Sequence, residues 1–152
     1  MTLYVDGDAF PNLLKPILFR AIERLKLNTC VIANKRIDIG KSDFITYFIV
    51  DAGADEADDK IVEMLQEEDL VITADIPLAD RVITKKAHAL DHRGALYTAD
   101  NVKQYLAMRN LMQSIRDSGE VTKGPAAFGA KDAQEFANQL NKFLQNKNIN
   151  KV

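Results

Sequence analysis

The chain of 152 residues has one cysteine, Cys30, and no tryptophan. A single thiol excludes a disulfide within the chain, and with it the class of small secreted domains that disulfides hold together. Cys30 lies in the apolar run 29–33, so we expect it to be a small core residue rather than a nucleophile. Nothing in this pattern indicates export.

Long apolar runs and blocks of like charge are also absent. No stretch approaches the ~20 apolar residues of a membrane span, and Met1 is not followed by the basic and apolar regions of a signal peptide. Acidic and basic residues number 22 and 20, so the net charge of -2 does not steer the whole protein towards nucleic acid. The sequence has no GxGxxG loop and no Walker lysine motif. We therefore expect a soluble cytoplasmic protein without membrane association.

Strand-like and helix-like apolar patterns alternate along the chain. Apolar runs predict strands at 2–5, 29–33, 44–50, 69–73, 89–90 and 95–97. Helical spacing predicts helices at 12–26, 54–67, 78–87, 101–118 and 131–145. The alternation predicts βαβ crossovers and a three-layer α/β/α fold with a mostly parallel central sheet. We expect one domain over residues 1–145 and a polar tail over 146–152.

Aspartates gather at the ends of predicted strands and in one predicted helix turn. They are Asp6, Asp8, Asp55, Asp58, Asp59, Asp75 and Asp80. In a parallel sheet, ligands bind beyond the carboxyl ends of the strands, where Asp6 and Asp75 would meet if their strands were neighbours. Because crowded carboxylates repel each other, a fold tolerates them when a divalent cation neutralises the charge. The grouping predicts an Mg²⁺ or Mn²⁺ site, and with it phosphate chemistry.

Each group of aspartates also has a simpler interpretation. Asp6 and Asp8 project the same way in an extended segment, but Asp and Gly are ordinary turn residues and Asp8 could cap the next helix. The acids near Asp55 suit the positive end of a helix dipole, although four acids in residues 55–59 exceed what a cap requires. Asp75 directly follows a strand, and Asp80 falls about one turn inside the next helix.

Several other polar residues are candidates for substrate contact. Thr73 could donate its hydroxyl group to a phosphate or to a water on the metal. Basic residues near the fifth predicted strand form either a solvated face or a phosphate-binding rim: Lys85, Lys86, His92 and Arg93. Lys35, Arg36 and Lys41, after the second strand, could extend that rim. We expect the two histidines, His88 and His92, to have surface or structural roles.

Five segments, which span nearly the whole chain in order, resemble the YaiI/YqxD family of uncharacterised bacterial proteins. They are 5–11 (VDGDAFP), 53–59 (GADEADD), 72–79 (ITADIPLA), 93–98 (RGALYT) and 124–132 (GPAAFGAKD). This chain has Phe10 where the family usually has cysteine, which argues against thiol chemistry in the first motif. It has His92 where the family usually has proline.

The family in turn resembles PIN-like nucleases, in which acids at the first strand end, a helix start and the fourth strand end hold divalent metal. The resemblance implies a PIN-like domain in which Asp6, Asp55 or Asp59, Asp75 and Asp80 play those parts.

These observations favour a metal-dependent phosphodiesterase that acts on nucleic acid, with RNA as the expected substrate. Asp6, Asp55, Asp59 and Asp75 would hold Mg²⁺ or Mn²⁺, and Asp8 or Asp80 would orient the attacking water. Thr73, Lys85, Lys86 and Arg93 would contact substrate. One alternative is a haloacid-dehalogenase-like phosphohydrolase with Asp6 as nucleophile, Asp8 as acid/base and Asp75-x4-Asp80 as a late acidic motif. Another is a non-catalytic domain that binds RNA or a protein.

Overall fold

The computed structural model describes residues 1–53, 55–120 and 126–149. Its strands are β1 (Leu3–Asp6), β2 (Thr29–Ala33), β3 (Ile45–Ile49), β4 (Leu70–Ile72), β5 (His88–Leu90) and β6 (Leu96–Tyr97). Its helices are α1 (Leu14–Leu25), α2 (Glu56–Met64), α3 (Ile76–Thr84), α4 (Val102–Asp117) and α5 (Ala130–Ile149). Within these ranges, no helix combines the length and apolar character that crossing a membrane requires.

One sheet contains all of these strands, in the order β3-β2-β1-β4-β5-β6. The strands from β3 to β5 pair in parallel, and only β6 runs antiparallel to its neighbour. The chain builds outwards from β1 to β3 and then returns to place β4 on the other side of β1. The carboxyl ends of β1 and β4 therefore flank a topological switch point, where parallel sheets open a crevice for ligands.

Helices cover both faces of the sheet, each over its own apolar core. Leu3 and Val5 point to one face and Tyr4 to the other, because side chains alternate along a strand. On the first face, α1 and α5 pack with buried residues such as Leu18 and Phe136. Residues from α2, α3 and the start of α4 cover the second. The predicted three-layer α/β/α fold with a mostly parallel sheet is confirmed.

The helix boundaries differ from those predicted by about one to four residues, and two of the differences have local reasons. Helix α3 begins at Ile76 because the Asp75 carboxylate accepts the N–H of Leu78 at 3.1 Å, and Pro77 suits a first turn. Helix α5 continues to Ile149, past the predicted end at 145. Residues 146–149 include no glycine or proline, and extending a helix that has already formed costs little free energy. Residues 150–152 lie outside the described ranges.

Candidate functional site

A cavity of about 340 Å³ lies at the carboxyl ends of β1 and β4. Stretches far apart in the chain contribute its polar side chains, which are Asp6, Asp8, Asp55, Asp58, Asp75 and His92. The end of β1, the start of α2 and the end of β4 each provide at least one aspartate. We call this the aspartate cavity. It brings together four acids of the predicted metal and catalytic sets, and adds Asp58.

Asp6 is the most buried acid of the cavity, at 7% exposure. One carboxylate oxygen accepts the Thr73 hydroxyl at 2.8 Å and the other accepts the Asp8 N–H at 3.3 Å. Burial raises the pKa of Asp6 to about 6, the negative charges of Asp8 and Asp75 add to the rise, and the two hydrogen bonds oppose it. The ionised form of Asp6 is therefore disfavoured. The end of β4 helps to hold its carboxylate in position.

Thr73 links the ends of β1 and β4. Its hydroxyl donates to Asp6 and accepts the backbone N–H of Asp75 at 2.9 Å. Thr73 is fully buried, so its hydroxyl interacts with protein and does not face a ligand. This placement corrects the expectation that Thr73 contacts substrate. It is a positioning residue for two of the acids.

Asp58 and Asp75 both line the cavity, and Asp75 is one of the groups that perturb the Asp58 carboxyl. Partial burial, the charges of Asp75 and Asp6 and the hydrogen bond to Asp75 raise the pKa of Asp58 to about 7. Asp75 also caps α3 through Oδ1. Because its pKa is about 7, Asp58 is partly protonated near neutral pH when no cation is present.

Asp8 and Asp55 stand at the edges of the cavity. Asp8 Oδ1 accepts the N–H of Asn34 at 2.9 Å, which ties the turn after β1 to the end of β2. Gly7 makes this turn possible, since a Cβ atom there would lie 2.9 Å from the Cβ of Ala33. Asp55 precedes α2 with a φ of 71° and makes no side-chain capping bond. Its exposed carboxylate is not used to start the helix.

Asp59 and Asp80 do not line the aspartate cavity. Asp59 pairs with Arg81 at 2.9 Å and Asp80 with Lys103 at 2.7 Å, on the outer surfaces of their helices. Successive residues of a helix point about 100° apart, so Asp58 and Asp59 cannot both face the cavity. Asp58 therefore occupies the position in the cavity that was predicted for Asp59. The spacing of the apolar residues in α2 favours Asp58 over Asp59, because Asp58 lies three residues before Ile61, a buried residue of this helix.

The basic residues predicted to contact substrate also lie away from the cavity. Lys85 donates to the carbonyls of Val62 and Leu65 at 2.7 and 2.9 Å, where it caps the end of α2. Lys86 lines a different cavity, next to His88 and Phe143.

Arg93 pairs with Asp132 at 3.0 Å and donates to the carbonyl of Ala126 at 2.7 Å. Lys85 and Arg93 therefore have structural partners, and none of the three predicted cations faces the aspartates.

His92, for which we expected a surface or structural role, lines the cavity. It is 6% exposed and packs edge-on against Phe10, with ring centroids 5.3 Å apart. Across the described part of the chain, its Nε2 is the one buried side-chain nitrogen or oxygen without a hydrogen-bond partner. Burial lowers its pKa, so the ring is neutral at pH 7. The strand-end rule used for the aspartates could have found it, because His92 follows β5, the neighbour of β4.

The donor chemistry of the cavity fits Mg²⁺ or Mn²⁺, whereas the side chains are not gathered around one point. Carboxylate oxygens are the ligands that these hard cations prefer. Yet in residues 1–53, 55–120 and 126–149, no three His, Cys, Asp or Glu side chains stand ready to hold a metal ion. A cation would have to draw the carboxylates together around it and displace the proton of Asp58.

Comparison with known proteins places the chain in a family. The family model described as "Uncharacterized BCR, YaiI/YqxD family" matches residues 4–146. A UPF0178 protein of Sulfurimonas denitrificans is 68% identical over the full length of both chains. Another, from Sulfurovum sp., is 70% identical over 95% of this chain and 97% of its own. No solved structure matches. The chain belongs to the YaiI/YqxD family.

Proposed function

We propose that the aspartate cavity binds Mg²⁺ or Mn²⁺ and that the protein hydrolyses phosphodiester bonds of nucleic acid, with RNA as the first substrate to test. The observation that carries the proposal is the meeting of Asp6, Asp58 and Asp75 in one crevice at the switch point of the sheet. Folding buries these acids near one another, and burial, with a further contribution from neighbouring carboxylates, raises the pKa of Asp6 and Asp58. A divalent cation would remove that cost.

Asp6, Asp58 and Asp75 are the proposed ligands, with Asp55 beside them at the cavity edge. When bound, Mg²⁺ or Mn²⁺ polarises a phosphate oxygen and lowers the pKa of a water molecule. Asp58 replaces Asp59 in the ligand set predicted from sequence, since Asp59 is paired with Arg81. The resemblance to PIN-like nucleases supports the choice of phosphodiester substrates.

Other groups of the chain would orient the reactants. Thr73 holds Asp6 and the Asp75 backbone at a fixed separation. The N-termini of α2 and α3 both open near the cavity, and their partial positive charges favour a phosphate there. Asp8 uses Oδ1 to accept from Asn34, and we assign its Oδ2 to orient the attacking water. Asp80, the other predicted orienting group, is paired with Lys103 instead.

The aspartyl-phosphate alternative receives less support from the same contacts. It needs both Asp75 and Asp80 near the nucleophile, but Asp80 does not line the cavity.

The test is Mn²⁺ binding by calorimetry and cleavage of a labelled oligoribonucleotide, for the wild type and three variants. Asp75→Asn keeps an N-cap, because Asn caps helices as well as Asp does. Asp58→Asn removes a cavity charge, and Asp59→Asn is the control one residue away. We expect the wild type and Asp59→Asn to bind and cleave, and the other two to do neither.

Equal cleavage by all four proteins would remove the proposal. Mn²⁺ binding that depends on Asp58 and Asp75 without any cleavage would leave the ion site and refute the nuclease, in favour of a non-catalytic domain.

A further inference from the structure

The aspartate cavity continues into two further cavities on the β2 and β3 side of the sheet. The first, of about 390 Å³, shares Asp8 and Ala9 with the aspartate cavity. The second, of about 420 Å³, shares Lys35, Arg36 and Ile37 with the first. We call these two adjoining cavities the basic groove. Its lining extends from Tyr47 and Ile49 of the edge strand β3 to Asp8, which also lines the aspartate cavity.

Cations line the basic groove and lack acidic partners. They are Lys15, Lys35, Arg36 and Lys41. In the part of the chain that the structure describes, none of them has a carboxylate oxygen within 4.0 Å. The acidic side chains that line the groove are Asp8 and Asp38, so its four cations give it a local excess of positive charge. In a protein of net charge -2, such an excess on one side of the site is the pattern expected of an anion-binding surface.

An aromatic ring lies at the far end of the groove. Tyr47 is 37% exposed, and its hydroxyl donates to the carbonyl of Gly40 at 2.7 Å and accepts the N–H of Ile39 at 3.1 Å. Because these bonds hold the ring in place, stacking a base against it would cost little side-chain entropy. Ile49, in the same cavity, is 63% exposed and adds apolar surface. Cations with an exposed aromatic ring are the combination that binds single strands.

We propose that the basic groove binds a single-stranded nucleic acid and leads it from β3 into the aspartate cavity. Lys15, Lys35, Arg36 and Lys41 contact successive phosphates, and a base stacks on Tyr47. A duplex fits less well, because its bases are already stacked and Asp6 is recessed at 7% exposure. The proposal that the strand leads into the aspartate cavity rests on the proposed function. Binding of the strand in the groove does not require phosphodiester hydrolysis.

The experiment measures binding of a short labelled oligonucleotide by fluorescence anisotropy, in EDTA at low ionic strength, where no cleavage occurs. The groove variant is Lys35→Glu/Arg36→Glu. The control is Lys86→Glu/Lys142→Glu, which changes the same charge at exposed positions outside the groove. Single-stranded RNA, single-stranded DNA, a duplex and a polyglutamate peptide are compared.

We expect the groove variant to lose at least tenfold in affinity and the control to change by less than about threefold, since screened charges far from the strand contribute little. The slope of log affinity against log salt should fall by about 1.4 for two lost phosphate contacts. Tyr47→Leu should weaken binding of single strands at least about fivefold, the lower end of base–aromatic stacking.

Other outcomes would overturn the groove. They are undetectable binding by the wild type, equal loss in both charge variants, or tighter binding of the duplex or the peptide than of single strands. Mn²⁺ titration separates this inference from the proposed function. A groove variant that binds Mn²⁺ and cleaves as the wild type does refutes the groove alone. A wild type that binds single strands through the groove without binding Mn²⁺ refutes the proposed function alone.

Discussion

Replacing Asp58 by Asn should stabilise the protein without metal at pH 8, although it should abolish Mn²⁺ binding. Partial burial, and after it the charges of Asp75 and Asp6, disfavour the ionised form of the wild-type side chain. Asn has the same shape and stays neutral, and its amide can donate to the Asp75 carboxylate without a bound proton. The substitution therefore removes repulsion while keeping the contact.

The magnitude follows from the change in pKa. The pKa of Asp58 is raised from 3.8 to about 7. A shift of about three units corresponds to about 4 kcal/mol at full strength, and solvent screening of a half-exposed group reduces this to about 1 kcal/mol. Since the folded state holds the proton more tightly, the wild type is unpenalised below the unfolded pKa and loses stability as pH rises through about 7. The advantage of Asp58→Asn should thus be absent at pH 4 and complete at pH 8.

Asp59→Asn provides the matched control. Both substitutions remove a charge from the first turn of α2, which costs about 0.3–1 kcal/mol of helix-dipole stabilisation. Asp59 additionally loses an exposed ion pair with Arg81, which contributes at most about 1 kcal/mol. The control should therefore be slightly destabilised at pH 8, where Asp58→Asn is stabilised.

Urea unfolding in EDTA, followed by circular dichroism at pH 4 and pH 8, measures these differences. With Mn²⁺ at 100 times its dissociation constant, the wild type should gain about 2.7 kcal/mol and Asp58→Asn nothing. The reasoning fails if the two variants change stability equally at pH 8, or if Asp58→Asn gains more at pH 4 than at pH 8.

Three further substitutions test the supports of the site. Gly7→Ala places a methyl group 2.9 Å from a β2 side chain, and we expect it to cost about 1–3 kcal/mol in urea melts, whereas Gly129→Ala, with open space around it, should cost less than about 0.5 kcal/mol. Thr73→Val leaves the Asp75 N–H unpartnered, which should cost about 1–3 kcal/mol of stability and weaken Mn²⁺ binding in calorimetry. Thr73→Ser should restore both the stability and the Mn²⁺ affinity. Unchanged Mn²⁺ affinity in the valine variant would contradict the positioning role. Lys85→Met removes two bonds to the end of α2, so thermal unfolding should show a loss of about 1–3 kcal/mol while anisotropy shows unchanged nucleic-acid binding; the reverse pattern would restore Lys85 as a substrate contact.

Local sequence patterns predicted the elements and the sheet ends at which the acids gather. Apolar runs such as 29–33 indicate buried strands. The sequence places Asp6 at the end of one such strand and Asp75 shortly after another. The neighbouring placement of β1 and β4 is a property of the whole sheet, and no local pattern contains it. The meeting of Asp6 with Asp75 was therefore a conditional prediction until the strand order was known.

The partners of the charged side chains were harder to predict from the sequence than the position of the site. The choice between Asp58 and Asp59 depended on helical phase, which the apolar residues of α2 do encode. By contrast, Arg93 is neutralised by Asp132 from α5, and Lys103 of α4 neutralises Asp80. These contacts join segments distant in sequence, so local pattern cannot separate a structural cation from one that is free to bind phosphate.

The most direct test of the central claim is a crystal structure of the protein with Mn²⁺, read from its anomalous scattering. We predict a peak in the aspartate cavity, contacted by carboxylate oxygens of Asp6, Asp58 and Asp75, with the hydrogen bond between Asp58 and Asp75 replaced. Crystals saturated with Mn²⁺ that retain that hydrogen bond, with no peak among these three residues, would contradict the account.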